Sequence, residues 1–318
     1  MAAIVVRSVR AAAAFLVLLV SCSTATPRNE GYVTVPGGRI WWTRMGDGPG
    51  IPLLVIHGGP GSGSFGLKPW AALGDDRPVI RYDQLGSGKS DHPTDTALFT
   101  LDRAVQELQA IRDSLGLREV HLYGRSWGAM LLQAYVSTNP TGVRSLTLSS
   151  PLVTTAQWER DADSLVKLLP DSVQAVIAHH ETAGTTSSPA YAAAASEYSK
   201  RYGRRQPARS PADADSARKT RGRLVYEYMW GPSEFTSTGT LKTFDGTSWL
   251  RAVRVPTLFV TGEFDQATPA STEQFSRLVP NAEFKVISES GHSTENDNPE
   301  ALLRTVREFL RRVESAQR

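Results

Sequence analysis

A chain of 318 residues with 40% hydrophobic and 21% charged side chains is long enough to bury a sizeable core in one large α/β domain or two smaller ones. Its formal net charge of +3 excludes the strongly basic balance of a nucleic-acid-binding domain, and its single cysteine excludes an intrachain disulfide. We therefore expect a globular protein with no nucleic-acid partner.

The first 21 residues are laid out like a secretory signal peptide. Arg7 and Arg10 form a positive head, and the apolar run 11–20 that follows is too short to span a bilayer. Leu19-Val20-Ser21-Cys22 resembles the bacterial lipobox, in which the cysteine is lipidated and becomes the new N-terminus. Since Cys22 is the only cysteine, acylation explains it better than packing does. The sequence predicts a lipoprotein of the bacterial cell envelope, held at a membrane surface; the alternative is an ordinary signal peptide and a periplasmic or secreted protein.

Strand and helix patterns alternate along much of the remaining chain. Residues 31–42 alternate in polarity and turn at Pro36-Gly37-Gly38, which predicts a β-hairpin. Apolar residues recur every three or four positions from Leu101 to Leu115, and residues 299–313 show a second helical pattern. Apolar runs of strand length occupy residues 52–57, 78–83, 120–123, 143–148, 255–261 and 283–287. This alternation predicts an α/β fold with a mostly parallel, doubly wound sheet.

The stretch from residue 151 to residue 245 has a different texture. It is rich in Ala, Arg, Glu and Tyr, shows no clear strand and includes a polar break over 206–216. We interpret it as an inserted helical cap, so that residues 22–150 and 246–318 form the two parts of one core. Between Lys200 and Arg223, two lysines and seven arginines face only two aspartates. A solvated face is the favoured interpretation, with anionic lipid or a peptide carboxylate as alternative partners.

Gly124-Arg125-Ser126-Trp127-Gly128 matches the nucleophile elbow, a sharp turn between a strand and a helix. The flanking residues must be small, because a side chain at either glycine would collide with the neighbouring strand or helix, and the serine points outward. The alternative is a tight structural turn without chemistry.

A serine nucleophile needs a base that takes its proton. His179 and His180 lie in the predicted cap, where a surface or packing role is expected. His292 lies in a loop just beyond a predicted strand, which is where a catalytic histidine belongs. The sequence therefore predicts His292 as the base for Ser126.

The base in turn needs an acid that holds it in the right tautomer. Glu263 and Asp265 follow the predicted strand 255–261, at the end where catalytic groups gather in parallel sheets. We prefer Asp265 as the acid. In the alternative, Asp265 only caps a helix starting near Pro269, which leaves His292 without an orienting partner.

The developing oxyanion needs preorganised N–H donors. His57-Gly58-Gly59-Pro60-Gly61 ends a predicted strand, and its glycines let the main chain turn amides toward a pocket. We assign the donors to the N–H groups of Gly59 and Trp127. His57 is interpreted as a structural hydrogen-bonding residue of this loop rather than a second base.

A second pattern in the same region supports a rival function. The segment 61–66 satisfies G-x-G-x-x-G after a strand, and Asp83 ends the next strand, as in a dinucleotide site. A dinucleotide-binding oxidoreductase is therefore a distant alternative, but it leaves the elbow, Asp265 and His292 unexplained.

Four segments together resemble the proline iminopeptidase (prolyl aminopeptidase) family of α/β hydrolases. They are HGGPG at 57–61, DQLGSGKS at 83–90, GRSWG at 124–128 and the cap stretch MWGPSEFTSTG at 229–239. The resemblance implies an α/β-hydrolase fold and a serine hydrolase that releases an N-terminal residue, usually proline, from short peptides or aminoacyl amides. It implies no metal and no cofactor.

The resemblance also implies that cap carboxylates grip the free ammonium of the substrate, a role for which Glu234 is the candidate. Its alternative is a solvent-facing glutamate. Some relatives carry an acidic residue immediately after the catalytic aspartate, whereas this chain has Gln266, so Glu263 is a candidate second anchor. An amino-acid amidase or a carboxylesterase of the same fold would use the same parts.

Overall fold

The computed structural model describes residues 29–207 and 210–316. The predicted signal peptide 1–21 and Cys22 lie outside these residues. Within the described ranges, no helix is both long enough and apolar enough to cross a bilayer.

One eight-stranded sheet organises the described part of the chain. The strands are β1 (Glu30–Val35), β2 (Gly38–Met45), β3 (Leu53–Ile56), β4 (Val79–Tyr82), β5 (Val120–Arg125), β6 (Val143–Ser149), β7 (Thr257–Gly262) and β8 (Glu283–Ile287). Their order in the sheet is β1-β2-β4-β3-β5-β6-β7-β8. The first two strands form the predicted antiparallel hairpin, β2 also pairs antiparallel with β4, and the remaining neighbours are parallel. The predicted doubly wound, mostly parallel sheet is confirmed.

Helices connect the parallel strands and fill the segment between β6 and β7. They are α1 (Leu101–Ser114), α2 (Trp127–Ser137), α3 (Thr155–Val166), α4 (Asp171–Thr182), α5 (Pro189–Tyr198), α6 (Pro211–Lys219), α7 (Arg223–Met229), α8 (Thr247–Ala252), α9 (Pro269–Ser276), α10 (Thr294–Asp297) and α11 (Pro299–Ala316). Two 3₁₀ helices, Ser64–Leu73 and Thr96–Leu98, and a π-helix, Ser199–Gly203, complete the set for the described ranges.

Part of the polar break over 206–216 is helical, because α6 begins at Pro211. Proline is favoured in the first turn of a helix, and the alanines that follow favour the helical state. Asp215 also pairs with Arg218 at 2.5 Å and with Lys219 at 2.7 Å, at the spacings where side chains meet on a helix surface.

Both faces of the sheet are buried, as expected for a parallel sheet. Side chains of β3 alternate between them: Leu54 and Ile56 join a core with α1 and α2, whereas Leu53 and Val55 pack with the 3₁₀ helix Ser64–Leu73 and α11. The strands are therefore fixed from both sides, and their carboxyl ends form a rigid edge.

The helices α3 to α7 leave and rejoin the core at one neck. An antiparallel bridge joins Thr154 to Asp245, and the N–H of Gly246 donates to the carbonyl of Val153 at 2.9 Å. This insertion has an apolar core of its own, which includes Tyr191, Tyr198 and Phe235. Its contacts with the loops that follow β7 and β8 place it over the carboxyl edge of the sheet.

Candidate active site

Ser126 lies at the turn between β5 and α2, with φ of 55° and ψ of −118°. This left-handed backbone is strained for serine and typical of functional turns. A Cβ at Gly124 would lie 2.4 Å from the carbonyl oxygen of Gly128, and a Cβ at Gly128 would lie 2.6 Å from that of Ile56. Both flanking glycines are thus required by the close approach of backbone.

Asp265 and His292 follow β7 and β8 and are in direct contact. His292 Nδ1 and Asp265 Oδ1 are 2.8 Å apart, and both side chains are buried. Nδ1 donates to the carboxylate, so Nε2 is left as the basic nitrogen. Asp265 and His292 are thus arranged as the acid and the base that a serine nucleophile requires.

Further donors surround the Asp265 carboxylate. Oδ1 accepts from the N–H of Ala267 at 2.8 Å, and Oδ2 accepts from Thr261 Oγ1, from the N–H of Gly262 and from Ser150 Oγ. Burial alone would raise the pKa of Asp265, but the charge of His292 and these hydrogen bonds hold that pKa below its ordinary value. Asp265 does not cap α9, because Thr268 Oγ1 accepts from the N–H of Ser271 there.

Ser126 belongs to the same edge of the sheet. Its N–H donates to the carbonyl of Ser149 at 2.9 Å, and the next residue, Ser150, contacts both Asp265 Oδ2 and the carbonyl of His292. Ser126 Oγ makes no hydrogen bond to any residue in the described ranges. The proton relay from Ser126 to His292 therefore stays a prediction.

The cap holds the histidine loop directly. The N–H of His292 donates to the carbonyl of Tyr202 at 2.9 Å, and the N–H of Ser293 donates to that of Gly203 at 2.8 Å. The ring of Trp158 meets the imidazole edge to face, with centroids 5.4 Å apart. The position of the imidazole thus depends on cap residues as well as on Asp265.

The glycine loop after β3 lies against the elbow. A Cβ at Gly58 would lie 3.3 Å from Ser126 Cβ, and Gly59 has a φ of 120°. In the described part of the chain, neither the N–H of Gly59 nor the N–H of Trp127 has an acceptor. These are the two donors expected for the oxyanion.

His57 is engaged on both ring nitrogens. Nε2 accepts from the N–H of Gln84 at 3.1 Å, so Nδ1 carries the proton and donates to the carbonyl of Gly58 at 2.8 Å. Burial lowers the pKa of His57 and keeps the ring neutral. Its hydrogen bonds hold the glycine loop.

A cavity of about 300 Å³ opens beside these loops, and Glu234 lines it together with His292, Gln266 and Arg125. Glu234 Oε1 accepts from the hydroxyl of Tyr226 at 2.7 Å, and Oε2 accepts from Gln266 Nε2 at 3.2 Å. The carboxylate is fixed by neutral donors, so its negative charge remains available to a cation.

The expectation that Glu263 acts as a second anchor for the substrate ammonium is wrong, because Glu263 does not line the cavity. Glu263 is exposed, does not line the cavity, and accepts from the N–H of Glu289 at 3.0 Å. Gln266, three residues further on, is buried and lines the cavity beside Glu234.

A buried network beneath the site escaped the sequence analysis. Glu295 accepts from the hydroxyl of Tyr123 at 2.6 Å and lies 3.5 Å from Arg125, whose Nη1 also donates to Ser293 Oγ at 3.3 Å. Tyr123 and Arg125 precede Ser126, whereas Ser293 and Glu295 follow His292. The network therefore ties the serine turn to the histidine loop.

The segment 61–66, which matches the dinucleotide-binding pattern, has a structural role. Ser64, the second serine of this segment, begins a 3₁₀ helix, and its N–H donates to Asp83 Oδ1 at 2.5 Å, while the N–H of Lys89 donates to Oδ2 at 2.8 Å. Asp83 thus holds two loops together. Within residues 29–207 and 210–316, no cluster of three or more His, Cys, Asp or Glu side chains is placed to bind a metal ion.

Comparisons with known proteins find the same fold. The family model for the α/β hydrolase fold matches residues 51–298. The chain is 43% identical over 286 residues to the proline iminopeptidase of Heyndrickxia coagulans, an alignment that covers 90% of this chain and 99% of that protein. It is 37% identical over 246 residues to the proline iminopeptidase of Lactobacillus delbrueckii subsp. lactis, covering 76% and 83% respectively. The crystal structure of a Mycobacterium smegmatis proline iminopeptidase has a TM-score of 0.84 and 31% identity, covering 91% of this chain and 100% of that one.

Proposed function

Because the chain belongs to the proline iminopeptidase family of α/β hydrolases, we propose that it is a serine aminopeptidase that releases N-terminal proline from short peptides. The observation that carries the proposal is the buried Asp265–His292 pair, joined at 2.8 Å at the sheet edge that also bears Ser126. Glu234 in the adjoining cavity gives the site a place for a free amine.

We assign acyl transfer in two steps to these residues. Ser126 Oγ attacks the carbonyl carbon of the N-terminal residue while His292 Nε2 takes the hydroxyl proton. The N–H groups of Gly59 and Trp127 stabilise the oxyanion. His292 then gives the proton to the leaving amine, and the C–N bond breaks to leave an acyl-enzyme. Water, deprotonated by His292, hydrolyses the ester, while Asp265 stays ionised throughout.

Glu234 makes the site an aminopeptidase site in this scheme. A substrate cation that leaves water needs a paired anion, and the Glu234 carboxylate supplies one in the cavity beside His292. A peptide bond in the middle of a chain offers no such cation, so internal cleavage gains nothing from Glu234. The inserted segment 151–245, which carries Glu234, then acts as the substrate-selecting cap.

A panel of chromogenic substrates tests the function. We expect proline p-nitroanilide to be hydrolysed with the highest kcat/KM, ahead of other aminoacyl nitroanilides and of N-acetylproline p-nitroanilide. Faster turnover of short acyl esters would instead identify a carboxylesterase of the same fold. Faster turnover of simple amino-acid amides would identify an amidase.

We also propose export and lipidation at Cys22, on the basis of the sequence pattern alone. Two lipid chains would hold the protein at a membrane surface while the hydrolase part stays in water. Labelling with tritiated palmitate should mark the wild-type chain and sediment it with membranes, whereas Cys22→Ser should remove the label. An unlabelled wild-type chain would contradict lipidation.

A further inference from the structure

Arg221 lies on a cap loop that is fixed to the glycine loop of the site. The N–H of Gly222 donates to the carbonyl of Gly61 at 2.7 Å, and the N–H of Gly88 donates to the carbonyl of Thr220 at 2.7 Å. A Cβ at Gly222 would lie 1.9 Å from the carbonyl oxygen of Gly86, so only glycine allows this close approach. The backbone on both sides of Arg221 is thus held beside the glycine loop and beside the loop that follows β4.

Tyr226 sets Arg221 at a defined place relative to Glu234. The guanidinium carbon of Arg221 lies 4.7 Å from the centroid of the Tyr226 ring, and the hydroxyl of the same tyrosine donates to Glu234 Oε1 at 2.7 Å. Both charged residues line the same cavity. One buried aromatic ring therefore separates a cationic group from an anionic group in the cavity.

The guanidinium of Arg221 contacts the ring of Tyr226 but no carboxylate that the structure describes. Nearby basic residues are paired: Arg218 and Lys219 contact Asp215, and Arg223 contacts Glu227. Arg221, in contrast, forms no ion pair with any residue that the structure describes. Arg125 and Arg204 also line the cavity, but Arg125 lies 3.5 Å from Glu295, which lines the cavity too.

A free dipeptide carries the complementary pair of charges. Its ammonium and its carboxylate are roughly 7 Å apart when the two residues are extended. If Glu234 holds the amine, the leaving residue of a dipeptide projects away from it and bears the carboxylate. A guanidinium is the side chain best suited to bind a carboxylate, through two parallel hydrogen bonds.

We propose that Arg221 binds the α-carboxylate of the leaving residue, so that the enzyme selects short peptides with a free C-terminus. This inference rests on the proposed aminopeptidase function and assigns the specificity of the same site. Of the basic residues between Lys200 and Arg223, the proposal assigns a substrate role to Arg221 alone.

Prolyl-glycine, prolyl-glycinamide and proline p-nitroanilide together test the proposal. The first two differ only in the terminal carboxylate, and glycinamide is the better leaving group, so a preference for prolyl-glycine must come from binding. We expect the wild type to have a kcat/KM for prolyl-glycine that is roughly fivefold to tenfold above that for prolyl-glycinamide. Arg221→Gln should remove this preference, mainly through a higher KM for prolyl-glycine.

The controls separate charge from structure. Arg223→Gln removes an exposed arginine two positions away that does not line the cavity, and should leave the ratio of the two peptides unchanged. Arg221→Lys keeps the charge and should keep part of the preference. A wild-type ratio near one, or an equal shift in Arg221→Gln and Arg223→Gln, would overturn the assignment. Failure of the wild type to hydrolyse proline p-nitroanilide would refute the aminopeptidase function, and this inference with it.

Discussion

Replacing Glu234 by glutamine removes one negative charge from the cavity with little change in shape. The glutamine oxygen can still accept from the Tyr226 hydroxyl, which bonds Glu234 at 2.7 Å. Gln266, whose Nε2 now donates to the carboxylate at 3.2 Å, can turn its amide and accept from the new NH₂ group. We therefore expect Glu234→Gln to fold normally.

The size of the effect follows from the bond that the substrate loses. A hydrogen bond to a charged group contributes about 1.5–3 kcal/mol, and the cavity is partly open to solvent, so about 2 kcal/mol is the working value. Since 1.36 kcal/mol corresponds to a tenfold change in rate, kcat/KM for proline p-nitroanilide should fall roughly 30-fold.

The assay compares a substrate with a free amine and one without. Glu234→Gln should lose activity on proline p-nitroanilide but retain most of its activity on p-nitrophenyl acetate, which carries no cation. Glu263→Gln is the matched control, because Glu263 is exposed and does not line the cavity. Equal losses on the two substrates, or equal losses in the two variants, would refute the ammonium-binding role.

Two further predictions concern the acid loop and the stability of the fold. Ser150→Ala removes a donor to Asp265 Oδ2, which should raise the pKa of Asp265 and lower kcat on proline p-nitroanilide roughly tenfold; an unchanged kcat would contradict its role. Burial lowers the pKa of His121 from 6.5 to about 4, with Arg77 and Glu314 nearby. At a pH between these two pKa values, the unfolded chain therefore binds a proton at His121 that the native chain does not bind. The free energy of unfolding should therefore fall by up to about 3 kcal/mol as the pH drops through that window, and His121→Gln should flatten this slope in urea titrations.

The residues that the sequence could locate are those with a local signature. The elbow around Ser126 is visible because two glycines must admit close backbone, and the loops of Asp265 and His292 are visible because each follows an apolar run. Parallel strands bring such loops to one edge. Local pattern was therefore sufficient for the fold and for the contact between Asp265 and His292.

Contacts between distant segments could not be read in the same way. Ser150 donates to Asp265, which lies 115 positions further along the chain, and Tyr123 donates to Glu295, which lies 172 positions further. No periodicity in the sequence indicates either contact. Glu263 and Gln266 show most clearly what the sequence alone does not predict. They are three positions apart, yet the turn of the loop sends one to solvent and the other to the cavity, which charge alone did not predict.

Covalent capture of the nucleophile tests the central claim most directly. A fluorophosphonate should add once per chain, and peptide mass spectrometry should place the adduct on Ser126. Ser126→Ala should take up no label and should lose at least about 10⁴-fold in kcat on proline p-nitroanilide, and His292→Ala should label far more slowly. Labelling at another residue, or turnover retained by Ser126→Ala, would contradict the mechanism.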